Sequence, residues 1–110
     1  RPVIFEPTFH KHAKLSCGGC QIHVTDRAQF QPVLTGWLLT EAFRDTNAGA
    51  FEWRQPPYEY EYTLLPFDIL AGTKDTREQL EAGVKAEDIA RSWEDSVAEF
   101  MKIRQRFLLY

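Results

Sequence analysis

At Asp26 the apolar residues of this chain change their period. Before it they come in short, proline-bounded or alternating runs; after it they return at helical spacing. Val3-Ile4-Phe5 lies between Pro2 and Pro7 and reads as a short strand. Residues 8–19 read as a loop that closes on a Gly18-Gly19 turn. From Cys20 to Thr25 polar and apolar residues alternate, which predicts a strand with Cys20, Ile22 and Val24 buried and Gln21, His23 and Thr25 facing out. Asp26 then caps a helical turn. Phe30, Val33, Leu34, Trp37, Leu38 and Ala42 form the stripe of a helix from near residue 31 to about 45, ended by Asn47 and Gly49. Pro32 fits only in its first turn. Gly36 inside that helix costs about 1 kcal/mol against alanine, which close packing against a neighbouring backbone would explain, as would tolerance.

Beyond the helix, Tyr58, Tyr60 and Tyr62 alternate with Glu59 and Glu61 between Pro56-Pro57 and Pro66, which predicts an extended strand or edge. Phe67 to Gly72 reads as one helical turn closed by glycine. Asp75 and Glu78 suit a capping box for a helix over about 76–82, stopped by Gly83. A last helix over about 86–105 carries Ile89, Trp93, Val97, Phe100 and Met101 on its apolar side, and Phe107-Leu108-Leu109-Tyr110 suits a terminal strand. There is no repeated βαβ rhythm. The expectation is an α+β fold, a small, mostly antiparallel sheet packed by two or three helices.

At 110 residues the chain fits one domain and can bury roughly two-thirds of its unfolded surface, so it needs neither metal nor disulfide to fold. Its net charge of −3 argues against a nucleic-acid surface, and no apolar run approaches the ~20 residues of a membrane span. It starts at Arg1, which suggests a mature form or an excised piece of something longer, and no signal peptide identifies a compartment.

All of its histidines and cysteines fall between His10 and His23. His10, His12, Cys17 and Cys20 are side chains that zinc accepts, and Cys-x2-Cys has knuckle spacing. The same Cys-Gly-Gly-Cys has redox spacing, but a thiol–disulfide site opens a helix, and here the motif leads into a strand. A passive disulfide fits better. The plain alternative is exposed imidazoles with Cys20 as a small core hydrophobe. The carboxylate pairs Glu59/Glu61 and Glu94/Asp95 read as solvated faces, and no phosphate-binding or nucleophile-elbow motif is present.

Several segments resemble a known family when read in order. They are Pro7-Thr8-Phe9-x-Lys11, Cys17-Gly18-Gly19, Gln21-Ile22-His23-Val24-Thr25-Asp26-Arg27 and Phe30-x-Pro32-Val33. Phe51-Glu52-Trp53, Asp68-Ile69-Leu70-x-Gly72, Trp93, Phe100, Arg104 and Leu108-Leu109-Tyr110 follow. Together they resemble the C-terminal domain of the NamZ-type exo-β-N-acetylmuramidases of bacteria. The resemblance implies a two-domain enzyme that releases N-acetylmuramic acid from the non-reducing ends of peptidoglycan fragments. Its cleft lies against an N-terminal Rossmann-like domain that holds the main catalytic carboxylate. Residues 1–110 would then be the single C-terminal, non-catalytic domain, inactive alone, with no cofactor and a periplasmic or secreted location. Its expected cleft residues are Thr8, Phe9, Lys11, Gly18, Gly19 and His23. Lys11 would face the lactyl carboxylate of muramic acid, Phe9 would stack on a sugar, and the glycines would admit a close approach. The family carries an aliphatic residue where this chain has Cys20 and does not demand imidazole at His10 or His12. The rivals are a stand-alone metal-binding or thiol module on His10, His12, Cys17 and Cys20, and an interaction domain without sugar contact.

Overall fold

β1 (Pro2–Phe5) opens at a proline, which has no N–H to give to a ladder, and pairs antiparallel with β2 (Cys17–Cys20). The register sets Pro2 opposite Cys20, Val3 opposite Gly19, Ile4 opposite Gly18 and Phe5 opposite Cys17. One further pair closes the ribbon: Gln21 N–H donates to the Arg1 carbonyl at 2.8 Å and the Arg1 amino group to the Gln21 carbonyl at 3.0 Å. The structure, a computed structural model, describes residues 1–109. It is a small α+β fold with this two-stranded sheet and five helices. Residues 1–30 form one compact unit and the chain from Gln31 onward forms another.

The second strand begins three residues earlier than its alternation predicts. β1 offers only four partners, so pairing starts where the loop returns Cys17 to Phe5 and runs out past Gln21. Strand parity then reverses the expected assignment. Cys17 and Gly19 share the half-buried face with Val3, while Cys20 and Ile4, the latter 82% exposed, face outward. Ile22 and Val24 lie beyond the ladder, exposed. Gly18-Gly19 is strand, not turn. A Cβ at Gly19 would stand 2.8 Å from the Phe5 ring, which lies across that position. Asp26 caps as expected: its Oδ1 accepts from Ala28 N–H at 2.8 Å.

In the second unit α1 (Pro32–Thr46) carries proline in its first turn and ends at Asn47. α2 (Pro66–Ala71) stops at Gly72, whose φ of 77° is left-handed. α3 (Asp75–Glu81) is followed by Ala82 and by Gly83 with φ 82°. The expected capping box does not form. Thr73 Oγ1, two residues upstream, accepts from Asp75 N–H at 3.1 Å instead. The fully buried side chains Leu80, Ile89 and Thr76, with Ala86, form the core between α1, α3 and α4 (Ala86–Arg91).

Three other expectations fail, the first two for local reasons. The long final helix is two helices, α4 and α5 (Glu94–Arg104). The Ser92 hydroxyl donates to the Ile89 carbonyl at 2.6 Å, and the Trp93 N–H turns to Ala90 at 3.2 Å. The hydroxyl takes the acceptor a continuing helix would use. The tyrosine run is a tight turn. Tyr58 and Glu61 exchange both backbone bonds around Glu59, whose φ of 52° is left-handed, and Tyr60. Glu61 then accepts from Thr63 N–H at 2.6 Å, Thr63 Oγ1 at 2.5 Å and Leu64 N–H at 3.1 Å. Those bonds fold the segment instead of extending it. The expected terminal strand is a 3-10 turn (Gln105–Phe107) followed by exposed Leu108 and Leu109; Tyr110 lies outside the described residues.

Candidate functional site

The loop from Glu6 to Ser16 crosses between the two strands and carries half of the expected cleft residues: Thr8, Phe9 and Lys11. Lys14 N–H donates to the Pro7 carbonyl at 2.8 Å, Ala13 N–H to His10 at 3.2 Å and Leu15 N–H to His12 at 3.0 Å. His10, His12 and Lys14 each take a φ of 62°, a left-handed conformation that costs a residue with a Cβ. Thr8, Phe9 and Lys11 are exposed, and the Phe9 ring meets the edge of His10 at 4.9 Å. Among the described residues no carboxylate pairs with Lys11.

The ribbon spreads the expected set along its length. Thr8, Phe9 and Lys11 are at the end where Phe5 meets Cys17. Gly18 and Gly19 sit in its middle, Gly18 with open space on its exposed side and Gly19 under the Phe5 ring. His23 leaves the opposite end, two residues past the Arg1–Gln21 pair, and is exposed.

The thiol and metal reading does not fit this strand. Cys17 and Cys20 point to opposite faces and are both free. Three residues of extended chain span about 10 Å, beyond what a disulfide bridges. Among the described residues no three of His, Cys, Asp and Glu are grouped to hold a metal ion.

A second feature belongs to the helical unit. A pocket of about 510 Å³ opens between the first turns of α1, the end of α2 and Trp93. Trp37 and Trp93 meet edge to face at 6.3 Å, and Phe67 backs Trp37 at 5.0 Å. Trp53 packs on Phe67 at 4.5 Å and Phe51 on Trp53 at 4.9 Å, so Phe51-Glu52-Trp53 buttresses the wall from behind. The Asp68 carboxylate takes the Arg77 guanidinium through two bonds of 2.8 and 3.0 Å, pinning α2 to α3. Arg77 is held well above its ordinary value by Asp68 first, partly offset by burial, and further by Glu81. Sequence reasoning placed Trp37 and Trp93 in helix stripes, Trp93 also in the family resemblance, and noted Gly36 only for its cost inside the helix; none was read as lining a pocket. The one hint was the cost of a glycine inside α1; of its two explanations, close packing against a neighbouring backbone is absent, since nothing outside its own stretch of helix comes within 4 Å of a Cβ built at Gly36, and tolerance remains.

Glu41 was missed as well. Its carboxylate, 7% exposed on α1, accepts from Lys85 Nζ at 2.5 Å and from Ala86 N–H, the first residue of α4, at 2.9 Å. The Lys85 bond first, then the Ala86 bond, hold its pKa below the ordinary value. Glu61 is drawn down to about 2 by its bonds from the Thr63 hydroxyl, the Thr63 N–H and the Leu64 N–H. Both carboxylates are committed to structure, and neither is free for acid–base work.

The family described as Exo-beta-N-acetylmuramidase NamZ, C-terminal, matches residues 1–110. This chain belongs to the NamZ C-terminal family. Peptidoglycan beta-N-acetylmuramidase NamZ of Bacillus subtilis (strain 168) is 34% identical over 110 residues, which is 100% of this chain and 25% of the relative. The chain thus spans about a quarter of that relative's length. No solved structure matches it. Of the segments that carry the resemblance, Asp68 pins α2 to α3, Gly72 ends α2, and Trp53 and Trp93 pack in the aromatic cluster of the helical unit. No helix among the described residues is long and apolar enough to cross a membrane.

Proposed function

We propose that this chain is the non-catalytic part of a peptidoglycan-directed exo-β-N-acetylmuramidase, and that it lines the sugar cleft against an N-terminal Rossmann-like domain of the same protein. The carrying observation is that the family's C-terminal region matches the whole chain, while the chain spans only 25% of a relative named for that activity. The relative's name supplies the substrate class, and the loop supplies chemistry suited to it. Lys11 is a cation with no acid partner among the described residues, placed to take the lactyl carboxylate of N-acetylmuramic acid. Phe9, 70% exposed beside it, is the stacking surface. Thr8 adds a hydroxyl, and Gly18 an uncovered stretch of backbone. Gly19 supports the ribbon under Phe5, and His23, at the far end, faces the partner domain.

The test is a Lys11→Ala substitution in the longer muramidase, assayed for N-acetylmuramic acid release. Loss of one charge-assisted bond of about 1.5–3 kcal/mol predicts a KM increase of at least tenfold, with a smaller change in kcat. An unchanged KM would remove Lys11 from the cleft. The chain alone is expected to release no sugar.

A further inference from the structure

We infer that α5 is a self-docking surface, along which two copies of this chain pair antiparallel through Glu94, Val97, Met101 and Arg104. Sugar binding plays no part in it.

α5 has 11 residues, and none of them is buried. Its apolar stripe predicts a core-facing helix, yet Val97, Phe100 and Met101 are all exposed, Phe100 to 60%. An isolated helix shorter than ~12–15 residues is marginal in water, and most helical stability in proteins comes from packing an apolar face on a partner. α5 has the apolar face, and among the described residues nothing buries it.

The spacing along that face specifies the partner. Positions 94, 97, 101 and 104 follow the alternating steps of three and four that make a coiled-coil seam. The inner two, Val97 and Met101, are apolar, and the outer two, Glu94 and Arg104, carry opposite charges. Parallel copies would set Glu94 against Glu94 and Arg104 against Arg104. Antiparallel copies set Glu94 of each against Arg104 of the other, and Val97 of each against Met101 of the other. All of these layers close under one two-fold axis near residue 99, with Phe100 of both copies flanking it.

The outer charges are available for such layers. Among the described residues neither Glu94 nor Arg104 has an ion-pair partner. Arg104 reaches only the Met101 sulfur, at 3.8 Å, which already places it over the seam. Glu99 and Lys102, off the seam, pair with each other at 3.8 Å. A lipid surface suits this face less well, because Glu94 would be drawn toward anionic headgroups along with the apolar residues. A second copy supplies the apolar and the charged counterparts in one register. One short helix pair buries less than the ~1,200–2,000 Å² of stable complexes, so the dimer is weak and concentration-dependent.

The experiment is sedimentation equilibrium of the whole chain at concentrations up to about 1 mM. The mass is expected to rise from monomer toward dimer. Glu94→Arg and Arg104→Glu should each raise the dimer Kd roughly tenfold or more, since each makes like charges meet in both outer layers. Mixing the two variants should return the wild-type Kd, because every outer layer of the mixed dimer sets Arg against Glu. Both residues are exposed, and circular dichroism should show an unchanged fold. A chain that is monomeric at every concentration, single exchanges without effect, or a mixture no tighter than its components would each overturn self-pairing. The wild-type measurement needs no variant. A monomeric chain whose α5 amide signals move on phosphatidylglycerol vesicles would assign the face to a lipid surface. One that is monomeric and silent on vesicles would leave the face to another protein, and either result overturns the inference.

Discussion

Glu41 sits buried on α1 with its carboxylate drawn to the start of α4. One oxygen satisfies the Ala86 N–H, an orphan donor of the α4 N-terminus, and the other takes Lys85. Glu41→Gln keeps the shape and loses the charge, so it should cost about 2 kcal/mol in a urea melt. The pH dependence has a definite sign. Its folded pKa lies below the ordinary 4.5, so this stabilisation is whole above the unfolded value and disappears as pH falls through the lower folded one. The urea midpoint should drop with acidification below about pH 4.5, and less steeply in Glu41→Gln. A parallel pH profile in the two proteins would remove Glu41 from this role. None of this was legible in the chain, because the partners lie 44 and 45 residues away in sequence. Asp26 was legible because its partner is two residues away.

The same distinction between near and distant partners governs the elements. Helix starts and stops are written locally, by Pro32, Asn47, Gly72 and Gly83, and those bounds agree with the chain's own punctuation. Strand register is written by a partner. Cys20, Ile22 and Val24 alternate as a buried strand should, yet β1 has length only for Cys17–Cys20, so the expected inward face became the outward one. The tyrosine run imitates a strand through its period, and Glu61, by bonding three groups of its own turn, overrides it. Gly36 belongs to this scale. Alanine there adds a Cβ into open space and removes glycine's entropic cost, so Gly36→Ala should stabilise by about 1 kcal/mol. That is a rise of about 4–8 °C in Tm for a domain near this size. A lower Tm would mean that the glycine is required by the helix.

At the scale of the molecule, burial is confined to one of the two units. Every buried residue, from Glu41 and Pro66 to Leu80, Ala86 and Ile89, lies beyond Gln31; none of residues 1–30 is buried. An isolated two-stranded ribbon is marginal in water, and this one presents Ile4, Phe9 and Leu15 largely exposed. Amide exchange of the chain should therefore divide in two. The α1, α3 and α4 amides around Leu80 and Ile89 should exchange only through global unfolding, and the β1–β2 amides should exchange orders of magnitude faster. Protection of Val3 and Gly19 equal to that of Ile89 would refute the division. The loop with Phe9 and Lys11 is thus carried on the less stable part of the molecule. A ligand that binds only the ordered ribbon must stabilise it by mass action. Under the proposed function, N-acetylmuramic acid should then raise protection at β1 and β2 while leaving α4 unchanged. Added protection at α4 with none at the ribbon would place the sugar away from the Thr8–Lys11 loop.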